Sequence, residues 1–241
     1  MACNAYYRIG LSGTPLDRTD RKSIMAIATL GPVIHRVSAE TLVAAGVLAK
    51  AKVRLVTCKQ GPARSATWNG VYNELVVRSK ARNDLLVKIA KRAQKPSLMF
   101  VKNIDHGQKL ANMLMCAGVQ ADFVWGTHST TYRKSRVKAL TRGALDVLVC
   151  SVVFQEGIDI PELRSVINAS GSKSAIATLQ RLGRGMRLDR AADGTVREGG
   201  DVFEMWDIMD DGNDWLETHS RARRHAYVTE GHTTVEEPPI P

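Results

Sequence analysis

The feature that most constrains this chain is a series of short, unbroken apolar runs, each followed by a segment of helical period. From Pro96 onward "SLMFV" (97–101), "ADFVW" (121–125) and "DVLVC" (146–150) are apolar at nearly every position. A strand facing water on one side alternates apolar with polar, so the continuous run of "SLMFV" belongs to a strand buried on both faces, and the other two read as strands. Between them "IDHGQKLANMLMCAG" and "TTYRKSRVKALTRG" have helical spacing and end at Gly118 and Gly143, where a left-handed residue closes a helix. "RSVINAS", the helical "SAIATLQRLGRGMR", "DVFEMWDIM" and the helical "DWLETHSRARRHAYV" continue the alternation. Strand-helix alternation with short connections predicts an α/β fold, a parallel sheet with helices on both faces. Ligands of such sheets sit beyond the carboxyl ends of the strands.

Before Pro96 the pattern is less regular. "YYRIGLS", "GPVIHRV" and "KVRLVTC" read as strands, and "RKSIMAIATL" and "AETLVAAG" as helices, the second ending at Gly46. A polar stretch over 59–69 reads as a loop, and "GVYNELVV" and "ARNDLLVKIAKRA" as helices. The closing "EEPPIP" reads as disordered.

Charge narrows the choice of partner. Residues 1–197 carry 31 Lys and Arg against 13 Asp and Glu, a net of +18, while 198–241 carry 3 against 11, a net of −8. A basic body of this size suits a polyanion, most simply nucleic acid, although a solvated basic surface has the same composition. Cys3, Cys58, Cys116 and Cys150 form no C-x-x-C pair and the six histidines show no ligand spacing, so no metal site is expected on them. Cys58 and Cys150 end apolar runs and read as buried. No apolar run approaches the roughly 18 residues of a membrane span, and no signal peptide is evident. A cytoplasmic protein is expected, in the host cytoplasm if the source is viral.

Four stretches fall at or just past strand ends: "LSGTP" (11–15), "WGTHS" (125–129), "SVVFQEGIDIPEL" (151–163) and "QRLGRGMRLDR" (180–190). In the last, Arg181, Arg184 and Arg187 recur every three residues, within about a third of a helix circumference. Gly183 and Gly185 sit beside the middle arginine, each costing a helix about 1 kcal/mol relative to alanine. Planar guanidinium donors suit phosphate oxygens, and a surface basic helix with ordinary i,i+3 pairs is the plainer alternative.

In order and wording these stretches resemble the C-terminal half of superfamily 2 helicases and translocases, in the branch of bacteriophage helicases, DNA-repair helicases and restriction motors. "RIGLSGTP" resembles motif III with the tail of the first RecA-like lobe, and "SLMFVKNIDHGQKLANML" resembles motif IV. "VLVCSVVFQEGIDIPELRSVI" resembles motif V, and "QRLGRGMR" fits Q-R-x-G-R-x-x-R at every fixed position. The resemblance implies a RecA-like second lobe over 96–228 with its C-terminal helix, preceded by a first-lobe tail and connection over 1–58. It implies linking loop and helices over 59–95 and a disordered tail over 229–241.

The implied function is ATP-dependent unwinding or translocation on nucleic acid, with DNA favoured through the branch. Arg184 and Arg187 would be arginine fingers on the γ-phosphate, worth about 10³ to 10⁵ in rate in such enzymes. Gln180 would place the phosphate or attacking water, and Arg181 would support local structure. Gly157 and Asp159 would approach the ATP, with turn and helix-cap roles as the alternative. Ser12, Gly13 and Thr14 would couple nucleotide state to strand movement, or form a simple turn; the family usually has alanine at Gly13. Ser151, Thr127, Ser129 and Lys102 would contact nucleic-acid phosphates. In "THSRARRHAY", Arg221, Arg224 and His225 share a helix side and are expected to pack on the acidic strip 198–217.

A helicase also needs a G-x-x-x-x-G-K-[ST] P-loop and a D-E-x-[HD] segment to hold ATP and Mg2+. The sequence contains neither, nor any "GK" dipeptide. ATP and Mg2+ are therefore expected to be held mainly by a P-loop lobe outside these residues, leaving the chain inactive alone. A non-catalytic nucleic-acid-binding or regulatory module stands as the alternative, and an unrelated α/β nucleotide enzyme as a remote third. No membrane partner is expected.

Overall fold

Every residue of "SLMFV" is buried, as its unbroken apolar run requires, and its alternate side chains divide between two cores. The computed structural model describes residues 5–11, 23–151, 160, 162–174, 183, 186, 188–191 and 193–240. The strands are β1 (Lys50–Lys59), β2 (Ser97–Val101), β3 (Ala121–Val124), β4 (Val147–Ser151), β5 (Ser165–Asn168), β6 (Val202–Asp211) and β7 (Thr233–Glu236). The helices are α1 (Ser23–Leu30), α2 (Ala39–Ala44), α3 (Trp68–Val71), α4 (Lys80–Arg92), α5 (Ile104–Cys116), α6 (Thr130–Thr141) and α7 (Asp214–Thr229). A π-helical turn, Tyr72–Val77, joins α3 to α4.

The strands form one sheet in the order β3-β4-β2-β5-β6-β1-β7, every pairing parallel. Met99, Val101, Val147, Val149, Ile167 and Ile208 point to one face, where Leu86 and Ile89 of α4 and Leu110 and Leu114 of α5 cover them. Leu98, Phe100, Leu148, Val166, Phe203 and Met205 point to the other, beneath Leu140 of α6 and Tyr227 of α7. Cys58 and Cys150 are buried. The close approach of α5 to β3 rests on Gly107, where a Cβ would lie 2.3 Å from the Phe123 ring.

The chain divides into two units, Met1–Ser38 and Ala39–Pro241. In the first, α1 forms over the helical pattern, but the described residues of "YYRIGLS" and all of "GPVIHRV" are not strands. A strand needs a ladder partner, and the described residues of this unit supply none. Tyr6, Ile9, Leu11 and Ile34 are each more than four-fifths exposed, so no core forms around them.

Three expected boundaries change. The stretch "KVRLVTC" goes with the second unit, because β1 pairs along all ten residues with β6. The helices of 59–95 are part of that unit's core, since Leu86, Ile89 and Ala90 of α4 are fully buried. The end of the chain is ordered, with β7 pairing on β1 and Arg54 bridging Glu204 and Glu237. An exposed strand edge invites a partner, and here the chain's own β7 meets that of β1.

Candidate nucleic-acid interface and nucleotide edge

Three of the parallel strands are followed at one rim of the sheet by a residue that caps the next helix. After β2, Asn103 Oδ1 accepts from the His106 N–H at 2.9 Å and starts α5. After β3, Ser129 Oγ accepts from the Tyr132 N–H at 3.2 Å and starts α6. After β6, Asn213 Oδ1 accepts from the Leu216 N–H at 3.4 Å and starts α7. Each cap leaves its neighbours' side chains at the rim, where ligands of parallel sheets bind.

Of the expected phosphate-contacting residues, Ser151 ends β4 in register with Val101 of β2, and Lys102 directly follows Val101. Lys102 is exposed, its Nζ 5.4 Å from the Tyr72 ring centroid. Ser151 is only 6% exposed, and its Oγ makes no hydrogen bond among the described residues. A buried hydroxyl without a partner costs about 1–3 kcal/mol, so this one is kept at a stability cost and is free to donate to an incoming acceptor. Thr127 is exposed on the turn after β3. Ser129 is exposed too, but its oxygen already accepts as the α6 cap, leaving its O–H to donate. Gln180, Arg181, Arg184 and Arg187, together with Gly157 and Asp159, and Ser12, Gly13 and Thr14, lie outside the described residues.

Met186, within the arginine stretch, is buried in the core, and its carbonyl accepts from the Ala49 N–H at 2.7 Å. Asp189 pairs with Arg164 at 2.7 Å and with Arg197 at 3.5 Å. Upstream, the segment after β5 is held by two arginines whose role the sequence does not disclose. Arg82 of α4, fully buried, donates from Nε to Asp210 Oδ1 at 2.9 Å and from Nη1 to the Ala169 carbonyl at 3.0 Å. Arg223 of α7, also fully buried, donates to Asp207 Oδ2 at 2.9 Å and to the Ser172 carbonyl at 2.9 Å. Tyr227 Oη and Asn168 Nδ2 complete the shell of Asp207 at 2.9 and 3.1 Å. The two clamps come from opposite faces of the sheet and grip the same connection.

The expected packing of the α7 basic residues is therefore redistributed. Arg223 makes the buried contact, Arg221 pairs with Glu217 one turn back at 3.1 Å, and Arg224 pairs with Glu236 of β7. Also unforeseen are two aromatic groups at the rim. Trp125, His128 and Tyr132 pack in series after β3 as tilted pairs, with centroids 3.7 and 4.6 Å apart, and Trp68 gathers Tyr72, Trp215 and His219. No group of three or more His, Cys, Asp or Glu able to hold a metal ion occurs among the described residues.

Residues 81–189, which include β2 to β5 and the arginine stretch, match the family model described as the helicase conserved C-terminal domain. Residues 81–189 thus resemble the C-terminal domain of helicases. The chain is 28% identical over 199 residues to a protein named putative helicase 22 of Sulfolobus islandicus filamentous virus, covering 76% of this chain and 35% of that one. It is 26% identical over 216 residues to the ATP-dependent DNA helicase uvsW of Enterobacteria phage T4, covering 86% of this chain and 41% of uvsW. The crystal structure of T4 UvsW superposes with a TM-score of 0.59 at 16% identity, covering 79% of this chain and 42% of that one. S. cerevisiae Dbp5, in a structure with RNA and ADP BeF3, superposes with a TM-score of 0.61 at 15% identity, covering 91% and 49%. The chain thus spans well under half the length of these curated relatives, and its fold is the RecA-like one.

Proposed function

We propose that this chain supplies the second half of an ATP-dependent helicase or translocase that tracks along DNA, and that a P-loop lobe supplies the half gripping ATP and Mg2+. The observation that carries the reading is the complete Q-R-x-G-R-x-x-R of residues 180–187, inside a helicase C-terminal domain and on the connection clamped by Arg82 and Arg223. In this reading Arg184 and Arg187 reach the γ-phosphate held by the other lobe and stabilise charge as it transfers. Gln180 orients the phosphate or attacking water, Gly157 and Asp159 approach the nucleotide, and Ser12, Gly13 and Thr14 couple nucleotide state to movement. Lys102, Ser151, Thr127 and Ser129 hold the strand by its phosphates. The exposed apolar side chains of 5–37 support assigning that unit to the edge of the P-loop lobe. DNA is favoured by uvsW, named an ATP-dependent DNA helicase; the RNA-bound Dbp5 structure keeps RNA as the competing substrate.

The isolated chain is expected to bind single-stranded oligonucleotides with an affinity that falls steeply with salt, and to hydrolyse no ATP. Anisotropy titrations over a salt series and a phosphate-release assay check both. Robust hydrolysis by the chain alone, abolished by Arg184→Ala, would contradict the shared-site reading, and a flat salt response would contradict the phosphate contacts.

A further inference from the structure

The aromatic group around Trp68 has no part in the motifs, and its chemistry differs from theirs. Trp68 of α3 sits 4.4 Å from His219 at 67° and 6.3 Å from Trp215 at 86°, both on α7. Leu216 is fully buried and fills the core position of the first turn of α7, so Trp215 is not needed there, and it stays 41% exposed. His219 Nδ1 donates to the Gly171 carbonyl at 3.3 Å, which fixes the ring against the segment after β5. Burial lowers the proton affinity of His219, opposed by that hydrogen bond, and the charges of Arg223, Lys173 and Lys102 lower it further. The ring presents an aromatic face to Trp68. Lys102 and Lys173 are exposed, and Lys102 also lies over Tyr72, which packs 5.5 Å from Trp68. An exposed indole backed by two further rings and flanked by lysines, at the rim where Lys102 meets the strand, has the composition of a base-stacking site.

We propose that Trp215, supported from behind by Trp68 and His219, is a stacking platform for bases of a single-stranded nucleic acid whose phosphates pass Lys102 and Lys173. This rests on the nucleic-acid reading above and adds base contact to its phosphate contacts.

The test measures binding of fluorescein-labelled oligo(dT) and oligo(U), each about twelve nucleotides long, to wild type, Trp215→Ala, Trp215→Phe and Lys173→Ala. Trp215→Ala is expected to weaken binding at least about fivefold, with an unchanged salt slope and an unchanged melting temperature. Trp215→Phe is expected to restore most of the affinity, because stacking needs only an aromatic face. Lys173→Ala is expected to reduce the salt slope by about 0.7, one phosphate contact. A loss with only one oligonucleotide supports the platform and identifies the strand. Trp215→Ala binding both within twofold of wild type would overturn it, assigning the ring to a protein partner or to packing. Failure of wild type to bind either oligonucleotide would overturn the parent reading and this one together.

Discussion

Buried polar atoms at single residues separate structural from functional roles. His106 is fully buried, its Nε2 2.8 Å from Asn83 Oδ1, so that nitrogen carries the proton and donates. Burial, with Arg82 and Lys109 nearby, pushes its pKa down to about 3, against 6.5 when unfolded. A folded pKa below the unfolded one gives stability that is complete above about pH 6.5 and drains as pH falls toward 3. Each pH unit in that window costs about 1.4 kcal/mol per proton taken up on unfolding. His219 and His232 are also held down by burial and act in the same direction. Melting temperature is therefore expected to fall between pH 6.5 and 4.5, and less steeply in His106→Gln, whose amide still reaches Asn83. An identical pH slope in both proteins would contradict this. Ser151 behaves oppositely. Its unpartnered hydroxyl contributes nothing to the fold, so Ser151→Ala should leave the melting temperature unchanged or higher. The same variant should weaken oligonucleotide binding about tenfold, the worth of one hydrogen bond to a charged phosphate.

At the level of elements, the Arg82–Asp210 and Arg223–Asp207 clamps tie α4 and α7 to β6 and to the connection after β5. Arg223→Met leaves Asp207 buried beside only Tyr227 and Asn168, and should cost about 3–5 kcal/mol in a denaturant titration. Gly107→Ala should cost about 1–3 kcal/mol, since the methyl meets Phe123 in a packed layer. Neither clamp was legible in the sequence, because an arginine at helical spacing reads as a solvated face until its acid partner, far along the chain, is known. The aromatic group was hidden for the same reason, as Trp68 and Trp215 come from opposite ends of the larger unit. The apolar runs of β2 and β4 and the Gly118 and Gly143 stops were plain, because burial on both faces and a left-handed φ are demands each segment states locally. "TTVE" went unread as β7, since a short polar edge strand carries almost no apolar signal. "GPVIHRV" read as a strand for the reverse reason, its local propensity lacking a ladder to join.

Over the whole molecule, the basic body and the order of the motifs point to a helicase-like second lobe, and the all-parallel sheet with helices on both faces bears out the fold. The central claim concerns chemistry shared between two lobes, and one measurement reaches it directly. DNA-stimulated ATP hydrolysis should be followed for the P-loop-bearing polypeptide of the same source, alone and with this chain. Hydrolysis is expected only in the mixture, and Arg184→Ala in this chain is expected to lower it by about 10³ to 10⁵, the worth of an arginine finger. Hydrolysis that proceeds equally without the chain, or that is indifferent to Arg184→Ala, would contradict the account.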